Sequence, residues 1–231
     1  TTGYSDDSGM LLARLLDTGI GIGVGLLVNL LVWPPLRDRS AAHQIDLIDD
    51  CIGELLCTIA DGLRAGEADL DGWVERIDAL DDDVDEAWAV LSHARESGRL
   101  NPRRAATVRM RAGERYDAIL TRLEHAVGET RSMVRTIQLA RVAPEQWDER
   151  FRGPWLDLLR RGGAAIAGAD PGAVAAVRRD LDAFAGELPA DGLEERLWPL
   201  AGALLVNLRN ILDALDVVAD AQPVRVPAGV A

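Results

Sequence analysis

A chain of 231 residues is long enough to bury a sizeable core. Its formal net charge of -13 speaks against nucleic-acid binding, which needs clustered cations to meet phosphate. All 25 basic residues are Arg, so the Lys of a Walker-type phosphate loop is missing throughout.

The first element is the run "DTGIGIGVGLLVNLLVWPP", Asp17 to Pro35. Glycines at 19, 21, 23 and 25 invite a dinucleotide-loop reading, but the preceding "SGMLLARLLD" reads as helix and no amphipathic helix follows. A strand fits poorly as well, since the apolar run continues from Leu26 to Trp33 without alternation and glycine weakens strand interiors. From Thr18 to Leu36 there are 19 residues without a charge, and a membrane helix needs about 17–25. In a helix, Gly19 pairs with Gly23 and Gly21 with Gly25, giving a smooth face for close helix packing. Trp33 suits an interface, Pro34 and Pro35 end the helix, and Arg37 and Arg39 follow. That basic flank places the C-terminal side in the cytoplasm. The competing reading is a buried core helix of a soluble protein. The run lacks a basic leader and a small-residue cleavage site, so it does not read as a signal peptide. The chain opens Thr-Thr without Met, and the expectation is that further sequence precedes it.

After Pro35 the pattern is helical. Ser40 is the expected cap of a helix with apolar residues at Ile45, Ile48, Ile52, Leu55, Leu56, Ile59 and Leu63, stopping at Gly66. A second helix is expected from Asp69 or Asp71 to Gly98, with Trp73, Ile77, Leu80, Val84, Trp88 and Leu91 on its stripe. "SGRLNPRR" reads as a loop, followed by a long helix from Arg103 to Val142, about 60 Å at ~1.5 Å per residue. "APEQWDERFRGP" breaks the pattern, and Pro154 is expected to open a short helix. Asp170-Pro171 reads as an N-cap and first-turn proline. A last helix is expected from Leu193 to Ala219, kinked by Pro199, with a mobile tail at 222–231.

The charges are distributed unevenly. Residues 70–97 hold nine acids and two Arg, a net of -7, whereas 103–141 hold nine Arg and four acids, a net of +5. An antiparallel hairpin turning at "SGRLNP" faces positions whose numbers sum to about 200, pairing Asp85 with Arg115 and Asp78 with Arg122. Catalytic patterns are lacking. His43, His93 and His125 lie in separate predicted helices without ligand spacing, and the acid run Asp78–Trp88 keeps helical period and lacks the glycine and closing Glu of a calcium loop. Cys51 and Cys57 lie six apart on one predicted helix, pointing to different faces, and fit free thiols of a reducing compartment. No Gly-x-Ser-x-Gly elbow or Cys–His pair appears, so no enzyme, metal or cofactor is expected.

The segment "RLLDTGIGIGVGLLVNLLVWPP", Arg14 to Pro35, resembles the last membrane span of aromatic acid exporter family proteins, which belong to the fusaric-acid-resistance-like (FUSC) group. Arg and Asp-Thr before a glycine-bearing span, an Asn-Leu-Leu centre and Pro-Pro at the exit carry the likeness, over about a tenth of the chain. The resemblance implies the last span and cytoplasmic helical domain of a bacterial inner-membrane exporter of small aromatic acids, with further spans, lipid and a homo-oligomer as partners. Asn29, a polar amide at mid-span, is the candidate substrate contact, or equally an interhelical hydrogen bond. The expected architecture is thus all-α: a transmembrane-type helix over 1–36, a long-helix bundle with a charged antiparallel hairpin over 37–221, and the tail. The alternative is a soluble helical scaffold or adaptor without transport.

Overall fold

The computed structural model describes residues 18, 19, 21, 35–99, 106–140, 146–188 and 197–221. The chain divides into two compact units, 1–41 and 42–231. In the first, the described residues are helical. The second is built from helices, and the described residues contain no strand. In chain order the helices are α1 (Pro35–Ala65), α2 (Leu70–Arg99), α3 (Ala106–Leu139), α4 (Glu149–Ala167), α5 (Pro171–Glu187) and α6 (Trp198–Ala221).

The apolar stripes read from the sequence become the core. Ile52, Leu55, Leu56 and Ile59 of α1, Leu123 and Val127 of α3, Leu159 of α4, and Leu204, Leu208 and Ile211 of α6 are fully buried. Each such side chain contributes about 1.5–3 kcal/mol relative to exposure. α1 and α2, α4 and α5, and α5 and α6 run antiparallel. Trp73 of α2 lies over Gly62 of α1. Arg161 of α4 pairs with Asp180 of α5 at 2.6 Å, and Arg178 of α5 reaches Asp213 of α6 at 2.9 Å. Two further seams join helices distant in sequence: α3 packs along α6, and α1 crosses α4.

The α1–α4 crossing is unusually close. A Cβ on Gly53 would sit 2.5 Å from the Ala167 nitrogen and 2.6 Å from the Gly163 oxygen, and one on Gly163 would sit 2.5 Å from the Gly53 oxygen. Only glycine permits this approach. Arg152 of α4 donates from Nη2 to the carbonyls of Leu63 (2.9 Å) and Arg64 (3.2 Å), satisfying the last turn of α1. The same terminus closes through Gly66 at φ 75°, with the Glu67 amide donating to the Gly62 carbonyl, a Schellman stop as the sequence position of Gly66 implied.

Several boundaries differ from expectation. α1 already includes Pro35, which needs no amide in a first turn, so Ser40 lies inside the helix and not at its cap. α4 starts at Glu149 with Asp148 as N-cap, and Pro154 lies within it. The Asp148 carboxylate accepts from the Arg150 amide at 2.9 Å, and the Arg150 side chain and amide together hold its carboxyl below the usual carboxylate range. The break expected at "APEQWDERFRGP" conceals an aromatic cluster, Trp147, Phe151, Trp155 and Phe184, with ring centroids 5.9–6.2 Å apart. Asp170 caps α5 ahead of Pro171 as predicted. Pro199 falls in the first turn of α6, where a missing amide costs nothing. The stretch 222–231 lies outside the described residues.

Candidate functional site

The most elaborate polar arrangement of the described residues lies on the α3–α6 seam. Glu129 falls at the edge of the α3 stripe, and its side chain is 18% exposed. One amide from α6 reaches each of its oxygens: Asn207 Nδ2 donates to Oε2 at 2.8 Å, and Asn210 Nδ2 donates to Oε1 at 3.1 Å. Asn207 also donates to Ser132 Oγ at 3.1 Å, and its own Oδ1 is buried without a hydrogen-bond partner. Neutral donors therefore orient this carboxylate. One turn earlier, His125 Nε2 stands 3.9 Å from Oε1, close enough to feel the charge and too far for a hydrogen bond.

Beyond Glu129 the outward face of α3 forms an open depression, lined among the described residues by Ala118, Thr121, Arg122, Glu124, His125 and Gly128. A Cβ at Gly128 would meet nothing within 4 Å. Arg122 is exposed, and it makes no ion pair with a described residue. The face thus presents a guanidinium, an imidazole and a positioned carboxylate within two helical turns. Such a set suits recognition of charged groups. No group of three or more metal-ligating side chains occurs among the described residues. Sequence reasoning missed this seam. Its signal was Asn207 and Asn210, three apart on the edge of an otherwise apolar stripe.

The acidic and basic helices do lie side by side, with a different register. Arg131 of α3 binds Asp78 of α2 at 2.7 Å and also Asp81. Hydrogen bonds donated by Arg131 to these two carboxylates, Asp81 first, raise its pKa. Asp78 therefore meets Arg131 and not Arg122, while Asp85 and Arg115 are exposed and form no ion pair with each other. The physical reason is where the two helices end and begin. α2 runs to Arg99 and α3 starts at Ala106, so level positions sum to about 205, not 200. The Arg131 side chain then leans towards the N-terminus of its own helix, which adds several residues of reach along α2.

Gly19 and Gly21 are described, and a Cβ on either would meet nothing within 4 Å. Gly23, Gly25 and Asn29 lie outside the described residues. No helix among the described residues is long and apolar enough to cross a membrane, and most of Thr18–Leu36 is not among them. His93 Nδ1 lies 3.1 Å from the Ala89 carbonyl of its own helix. Both cysteines are free. Burial, more than neighbouring acids, pushes the Cys51 and Cys57 thiols up, which lowers their thiolate fraction. The Cys57 thiol donates to the Arg160 carbonyl at 3.4 Å, beside the glycine crossing. Comparison with family models, curated proteins and solved structures finds no match for this chain.

Proposed function

We propose that this chain is part of a bacterial inner-membrane exporter of small aromatic organic acids, supplying its last span and the cytoplasmic helical domain that follows. The observation that carries the reading is the 19-residue uncharged run Thr18–Leu36 with its glycine pairs, Trp33, the Pro34-Pro35 exit and the Arg37/Arg39 flank. The resemblance of Arg14–Pro35 to the last span of the aromatic acid exporter family supports it. So does the all-helical unit over 42–231, whose α2 and α3 carry opposite net charge and meet through Arg131. The finer architecture proposed is a transmembrane helix ahead of a long-helix bundle containing this charged antiparallel hairpin. Asn29 is the proposed polar contact at mid-span, and further spans, lipid and a second copy are the proposed partners.

Fractionation tests the reading. Expressed residues 1–231 are expected in the membrane fraction and extracted only by detergent, while 38–231 is expected to be soluble and helical by circular dichroism. Recovery of 1–231 as a monodisperse species without detergent would overturn it in favour of a soluble helical scaffold or adaptor.

A further inference from the structure

The depression on α3 has an order that fits a copy of itself. At 100° per residue, His125 lies on the centre line of the exposed face. Arg122 and Glu129 share one flank of that line, and Thr121 and Gly128 share the other. Arg122 precedes His125 by three residues, and Glu129 follows it by four. A two-fold axis lying across α3 at His125 would bring a second α3 antiparallel against the first, with residue n facing about 250 minus n. Three contacts then agree on one register. Arg122 meets Glu129 of the second copy, and the reverse pair forms at the other end. Thr121 meets Gly128, and His125 meets itself. A two-fold contact requires this reciprocity, in which each patch complements itself.

Side-chain states in the single chain favour the arrangement. Arg122 is exposed and has no ion-pair partner among the described residues. Glu129 is held in place by Asn207 and Asn210, both neutral, so its charge is oriented but not neutralised by an arginine. Among the described residues nothing lies within 4 Å of a Cβ placed on Gly128, which leaves room for an opposing side chain. A positioned carboxylate and an unpaired guanidinium seven residues apart are the two halves of one ion pair, separated along the same helix. We propose that this face of α3 is the contact between two copies of the chain, joined by reciprocal Arg122–Glu129 pairs around His125. The inference stands whether or not the chain carries out transport.

The test uses the full 231-residue chain, in detergent where extraction demands it. Sedimentation equilibrium should find a dimer, and Arg122→Glu should weaken dimerisation at least tenfold by setting two carboxylates together. Circular dichroism should remain unchanged, since Arg122 makes no ion pair with a described residue. In a Cys51→Ser, Cys57→Ala background, His125→Cys should cross-link rapidly on oxidation, because a residue on the axis faces its own copy. Glu75→Cys, on the exposed side of α2, should not. A monomer at every concentration reached would overturn the proposal. So would a dimer with unchanged affinity in Arg122→Glu, or His125→Cys cross-linking no faster than Glu75→Cys.

Discussion

Gly53 and Gly163 bring two helix backbones together where any side chain would collide with main chain. The atoms in the way are the Ala167 nitrogen and the Gly163 and Gly53 oxygens, none of which can rotate aside. Gly53→Ala in residues 38–231 is therefore expected to cost about 1–3 kcal/mol through overpacking, read from the shift in denaturation midpoint. Gly202→Ala on α6 is the counterpart. Its Cβ meets nothing within 4 Å, so relief from the glycine helix penalty should stabilise by about 0.5–1 kcal/mol. Equal effects at the two positions would show that the α1–α4 crossing is looser than described. Sequence reading could not find this contact. The stretch "RRGGAAIAG" is helical up to Ala167, but nothing in it marks which helix passes over it. A missing side chain leaves no periodicity to detect.

Among elements, the apolar stripes of α1 and α2 followed directly from spacings of three and four, and nearly every predicted stripe residue is buried. Pairing between α2 and α3 followed from their opposite charge. Register did not, because it depends on where the helices end, and α3 begins at Ala106 where Arg103 was expected. The ion pairs to test are consequently those of Arg131. Asp81→Arg and Arg131→Asp should each cost about 0.5–1 kcal/mol, the range for partly exposed pairs, and the double reversal should recover most of the loss. Raising salt to ~1 M should shrink the effects, as the Debye length falls to ~3 Å. The same cycle at Asp85 and Arg115 should be additive within error. Coupling there in place of Arg131 would restore the earlier register.

For the whole molecule, the net charge of -13 is borne unevenly. Arginines stitch α1 to α4, α4 to α5 and α5 to α6, as in Arg64–Asp157, Arg161–Asp180 and Arg178–Asp213. The outer side of α2 has no such relief: Asp82, Asp83, Asp85 and Glu86 are exposed and form no ion pair with a described cation. Self-repulsion concentrated on one helix should respond to a single cation. Asp82→Arg stands four residues from both Asp78 and Glu86, so it should raise stability by about 0.3–0.5 kcal/mol for each new pair. Thermal melts at low salt would check this. A lower melting temperature would mean that the acids are already balanced by contacts elsewhere.

The two amides that grip Glu129 also decide how α6 may lie along α3. Asn207 and Asn210 are followed three residues later by Asp213 and preceded three residues earlier by Leu204. Were α6 to slide by one turn in one direction, Glu129 would confront Asp213 and two negative charges would share a half-buried site. A slide the other way would set Leu204 against the carboxylate and leave one oxygen without its donor. Leucines and valines on the same seam would tolerate either slip with little complaint, since one apolar contact substitutes readily for another. The amides thus work as a key in a lock with several near-identical notches, penalising each wrong alignment more than they strengthen the right one.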